Sequence, residues 1–92
     1  MKQPRPILFT QHALERMRQR GATEESVREA IRTGQGEPAR RGLVLYRLNL
    51  EFKQEWAGRR YAIQQVAPLV ADEAERIVVV TVYTFYFQEI EP

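Results

Sequence analysis

The sequence contains no cysteine. That excludes a disulfide framework and a thiolate zinc site, and it fits a reducing compartment. With a single histidine, and no carboxylates spaced as a ligand set, nothing predicts a metal centre. A Gly-rich phosphate loop and a nucleophile elbow are both missing, so no small-molecule cofactor is expected. The opening segment, MKQPRPILF, has no apolar run long enough for a signal peptide, and no later stretch has the length to span a bilayer. The expectation is a cytoplasmic protein with no membrane partner.

What is present is one domain, residues 1–92, with 43% hydrophobic residues. That supports a small core and a stability on the order of 5–12 kcal/mol. Net charge is only +2, but two lysines stand against twelve arginines. Guanidinium grips phosphate and carboxylate as a fork, where lysine offers a point charge. The bias fits nucleic acid or an acidic partner. It also fits a GC-rich genome or a hot habitat.

The strongest signal is Arg76–Phe87, RIVVVTVYTFYF, filled with residues that suit a pleated strand. Both of its faces are apolar, with Ile77, Val79, Thr81, Tyr83 and Phe85 on one and Val78, Val80, Val82, Thr84 and Tyr86 on the other. A strand wet on one side would alternate, so this one reads as the middle of a sheet. Ile7–Phe9 is a short strand that pairs beside it. Thr10 caps a helix over Gln11–Arg20 that stops at Gly21. Thr23 caps a second helix, with Glu24 and Glu25 in its first turn and Gly34 at its end. Gly34–Gly42 reads as a flexible connector. Leu43–Phe52 is a half-buried strand, Lys53–Gly58 a hairpin loop holding Trp56, Arg59–Val70 a strand, and Ala71–Glu75 a turn. The helices cover one side of the sheet, on the Val78, Val80, Val82 side. Thr81, Tyr83 and Phe85 then point to an open or partner-covered side. This picture needs the C-terminal strand inside the sheet rather than at its rim.

The residues His12-Ala13-Leu14-Glu15-Arg16-Met17, Arg20-Gly21-Ala22-Thr23-Glu24-Glu25-Ser26-Val27 and Val80-Thr81-Val82-Tyr83 carry a resemblance. They look like the small bacterial proteins of domain-of-unknown-function family 4258, from Leu8 to Tyr83. The element order is similar to the RelE/ParE toxin fold, and the Arg-Gly-Ala-Thr-Glu-Glu turn is similar to the BrnT toxins. The resemblance implies an α+β, RelE-like domain: a short N-terminal strand, a two-helix hairpin, and a three-stranded antiparallel meander with the helices on one face. It implies a toxin of a toxin–antitoxin system that cleaves RNA or blocks gyrase. An antitoxin protein covering part of the sheet would hold it inactive.

His12 reads two ways. In the first helical turn, the dipole and burial would favour a neutral ring that acts as general base on a ribose hydroxyl in a metal-free ribonuclease. Alternatively, the ring anchors the helix to the sheet. His12 and Arg16 lie within about 40° of each other on the helix, and Arg20 continues along that side. The catalytic candidates are His12, Arg16 and Arg59. Arg20, Arg40, Arg41, Arg47, Arg60 and Tyr83 are the candidates for binding RNA, through guanidinium–phosphate pairs and base stacking. The plain alternative for the strand-end arginines is solubility and pairing with Glu51, Glu55 or Glu73. Two other functions stay open: RNA binding without cleavage, and a non-enzymatic interaction module, with a homodimer through the open sheet face as its simplest form.

Overall fold

The computed structural model describes residues 5–90. Its elements are β1 (Ile7–Phe9), α1 (Gln11–Arg20), α2 (Glu24–Thr33), β2 (Gln35–Pro38), β3 (Val44–Trp56), β4 (Arg59–Asp72) and β5 (Ile77–Ile90). A short 3-10 turn, Arg40–Gly42, separates β2 from β3. The architecture is α+β, with two helices on one face of a five-stranded sheet ordered β1-β5-β4-β3-β2. Only β1 runs parallel to its neighbour, β5; the other pairings are antiparallel. Among the described residues no helix is long and apolar enough to cross a membrane.

Both helices start where local chemistry starts them. The Thr10 hydroxyl accepts from the Ala13 amide at 3.0 Å and donates to the Val80 carbonyl at 3.2 Å. One side chain thus caps α1 and ties it to β5. Thr23 and Ser26 form a reciprocal capping box at the start of α2. Gly21 ends α1 in the left-handed region at φ 77°, where glycine avoids a Cβ clash. Gly34 ends α2 for a different reason. Its backbone is extended, but a Cβ there would lie 2.6 Å from the Arg47 carbonyl oxygen of β3.

The core lies between helices and sheet. Ala13, Met17, Val27, Ala30 and Ile31 meet Val66, Val70, Ile77, Val79 and Val82. Val44, Tyr46, Leu48 and Leu50 of β3 pack at its flank. Fully burying each valine contributes roughly 1.5–3 kcal/mol.

Four expectations need correction. The connector after α2 contains a strand: β2 pairs with β3, Gln35 opposite Arg47 and Pro38 opposite Val44. The sheet therefore has five strands, with the three long ones inside a mixed sheet. The β3–β4 loop is only Ala57-Gly58, both at positive φ (52° and 83°). That suits a tight two-residue hairpin, and it leaves Trp56 at a strand end.

The third correction concerns position. β5 is flanked on both sides only over Ile77–Val79, where β1 lies beside it. From Val80 onward it is an edge, and β4 is the central strand.

The fourth is a face assignment. Leu69 faces Thr81 but Val70 faces Val79, so Val80 is an extra residue without a partner in β4. This bulge shifts the alternation by one. Ile77 and Val79 face the helices, as do Val82, Thr84 and Tyr86 beyond the bulge, whereas Val78 lies on the other side, paired with Leu8 and Ala71.

Candidate functional site: the open sheet face

Among the described residues no helix or strand covers the side of the sheet away from the two helices. Its rows follow from the register: Leu45, Leu69, Thr81; then Ala67, Tyr83; then Asn49, Gln65, Phe85; then Glu51, Ile63, Phe87. Tyr83, Phe85 and Phe87 are 40%, 41% and 44% exposed. Two-residue spacing puts them on one face, each about 6.7 Å from the next.

Arginines stand at both sides of this aromatic row. The Arg20 guanidinium lies 5.3 Å from the Tyr83 ring centroid and donates to the Val82 carbonyl at 2.8 Å. It starts on the helix side and wraps around the rim of β5. Arg47 lies 6.0 Å from the Phe85 ring centroid. It also donates to Glu37 and to Gln65, each at 3.0 Å. Gln65 donates in turn to Asn49 at 2.9 Å. The face therefore offers rings, guanidinium and side-chain amides together, a set suited to stacking, phosphate pairing and hydrogen bonds to base edges.

The rim is held by a network at the α1–α2 turn. The Arg20 carbonyl accepts from Tyr86 Oη at 2.6 Å and from Thr84 Oγ1 at 2.9 Å. Gln64 Nε2 donates to the Gly21 carbonyl at 3.0 Å and to Tyr86 Oη at 3.1 Å. No buried side-chain polar atom among the described residues lacks a partner. Past a second bulge at Lys53 the β3–β4 hairpin twists, and Trp56 returns to stack on Tyr86 at 5.2 Å. Phe52 and Tyr61 also sit within 5.5 Å of the Tyr86 ring, centroid to centroid. Trp56 is thus packed home, with its ring against Gly21. At the bulge itself, the Lys53 ammonium hydrogen-bonds Glu51 at 2.8 Å. That bond, and then the charge, holds the Glu51 carboxyl below and the Lys53 ammonium above its ordinary value.

The residues expected to act together are divided among separate places. His12 is exposed on the first turn of α1. Arg16 donates to Gln19 at 2.7 Å. Arg59 is at the far end of the sheet, paired with Glu89 at 3.3 Å. Helix α1 begins against Val79 and Val80, whereas Arg60 faces Ile90. At ~3.3 Å per residue, the strand between those points spans ~33 Å. His12 and Arg59 therefore do not share one phosphate. Arg60 donates to the Lys53 carbonyl at the β3 bulge. Arg40 and Arg41 are exposed in the 3-10 turn at the β2–β3 corner. Of the binding candidates, the structure gathers Arg20, Arg47 and Tyr83 around the aromatic row.

Phe87, Gln65 and Asn49 complete the face and were not among the residues singled out from sequence. The spacing of Tyr83, Phe85 and Phe87 is the signal that marks Phe87; Gln65 and Asn49 become neighbours only through the register. Elsewhere, a cleft of about 610 Å³ lies between Arg5, Arg28 and Arg32 over Ile7, Ile31 and Ile77. Arg5 is engaged there by Asp72 and Arg28 by Glu24. Among the described residues no cluster of His, Cys, Asp or Glu is arranged to hold a metal.

No family model, curated protein or solved structure matches the chain.

Proposed function

We propose that this protein binds single-stranded RNA on the open face of its sheet, without cleaving it. One observation carries the reading: Tyr83, Phe85 and Phe87 stand exposed in a row, with a guanidinium beside each of the first two rings. Every base has a π-face, so such a row takes extended RNA with little sequence preference. Gln65 and Asn49 add donors and acceptors for base edges. The separation of His12 from Arg59 supports binding over cleavage, because the general base and one of its proposed phosphate-binding arginines lie at opposite ends of the sheet.

Fluorescence anisotropy with short unstructured RNA at several salt concentrations tests this. With Arg20 and Arg47 each on one phosphate, the log–log slope should be about −1.4. A flat salt response, or an affinity indifferent to Phe85→Ala, would remove the proposal. Incubating end-labelled RNA with the protein tests the second half. The RNA should stay intact, and His12-dependent cleavage would bring back the ribonuclease of a toxin–antitoxin pair.

A further inference from the structure

The two rims of the sheet are built differently. At one rim, β2 is four residues long and contains Gly36, Glu37 and Pro38, all features that discourage strand pairing. At the other, β5 runs past β1 as a long rim with no proline, and no charge before Glu89. The Val82 carbonyl points outward, since it accepts from Arg20. By strand alternation the main-chain groups of Thr84 and Tyr86 point outward as well. Past Val79, no described strand lies beyond them. Such a row of backbone donors and acceptors is a template for one more strand.

Charge decides which strand fits. His12, Arg16 and Arg20 share one side of α1, and the contacts of Arg20 to Val82 and Tyr83 show that this side borders the rim. A second copy paired about a two-fold axis at Thr84 would set its Tyr86 opposite Val82 and bring no carboxylate to Arg20, because β5 carries no charge before Glu89. We propose that the β5 rim receives an extended segment of a partner protein in which acidic and apolar residues alternate. Its carboxylates face Arg16 and Arg20 on the helix side, and its apolar side chains extend the row of Tyr83 and Phe85. Arg20 turns from the Val82 carbonyl to a carboxylate, which frees that carbonyl for the incoming main chain. The site shares Arg20 with the RNA surface proposed above, but the backbone rim that receives the strand does not depend on that reading.

The test uses the full chain and a short labelled peptide alternating glutamate with valine. Its lysine–valine counterpart and a version N-methylated on alternate amides serve as the other arms. The acidic peptide should bind about tenfold or more tightly than the basic one, and the methylated peptide should not bind. Arg20→Glu should reverse the charge preference. Amide exchange at Thr84 and Tyr86 should slow on saturation, which attraction to α1 alone would not cause. Equal binding of the acidic and basic peptides, or binding without slowed exchange, would overturn the proposal. So would a free chain that light scattering shows to be a dimer with Thr84 and Tyr86 already protected, because a second copy would then fill the rim.

Discussion

A methyl group added at Gly21 would sit 2.7 Å from the Trp56 ring. The α1–α2 turn and the tip of the β3–β4 hairpin are far apart in sequence, yet they touch here with no room to spare. Gly21→Ala should cost about 2–3 kcal/mol, with about 1 from the left-handed backbone and the rest from the clash. Gly58→Ala isolates the two effects. Gly58 is also at positive φ, 83°, but has open space around its Cα. It should lose only about 1 kcal/mol. Urea melts of both variants check this, and equal losses would show that the indole contact does not matter.

Tyr86 donates its hydroxyl to the Arg20 carbonyl and supports Trp56 with its ring. Tyr86→Phe keeps the stack and removes the bond. The expected loss is about 1–2 kcal/mol. Thr84→Val removes the second donor to the same oxygen. The pair should be non-additive, by about 0.5 kcal/mol or more, because they share one acceptor. A double-mutant cycle measures that coupling directly.

Thr10→Ala removes a cap and a bond to β5 together. A loss of about 1–2 kcal/mol is expected, against about half that for Thr10→Ser, which keeps the hydroxyl. Thermal melts followed by circular dichroism read the difference. A serine variant as weak as the alanine variant would mean that the threonine methyl, not the hydroxyl, is what counts.

Phe85→Ala should weaken RNA binding by about 1–3 kcal/mol while changing stability little, since Phe85 is already exposed. Arg59→Gln, at the remote hairpin tip, should leave RNA affinity near that of the parent. Equal losses in the two variants would point to general charge rather than the aromatic row.

Glu37 holds Arg47 at 3.0 Å, so under the RNA-binding proposal it would compete with phosphate for that guanidinium. Glu37→Gln should therefore tighten RNA binding, by about 0.2–1 kcal/mol as for other exposed pairs, and should steepen the salt dependence. Binding titrations at low and high salt check both.

The helices were legible because their signals are local. Thr10, Thr23, Gly21 and Gly34 mark the ends within a residue or two. β2 was not, because Gln-Gly-Glu-Pro has no strand character of its own and becomes a strand only by lying against β3. Lys53 to Trp56 looked like loop for the same reason: the residues are polar, and only the pairing of Glu55 with Arg60 and Trp56 with Arg59 makes them a strand. The open aromatic face could be anticipated from a strand apolar on both sides. Which valines faced the helices could not, since one valine looks like the next and the bulge falls among them. Arg59 was grouped with His12 because chemistry suggests partners but does not reveal that they stand at opposite ends of β5, a strand run of ~33 Å from Val80 to Ile90.

Val80 brings one last consequence. Losing a single residue from a strand normally turns every later side chain to the opposite side. At Val80 the opposite holds. It is the supernumerary residue, so a chain without it would run as a regular ladder, with Val82 still inward and Tyr83 still outward. The same deletion at Thr84 would send Phe85 and Phe87 into the core and Tyr86 out to water. In descendants of this chain, shortening of β5 should be tolerated at that one valine and nowhere from Val82 to Phe87.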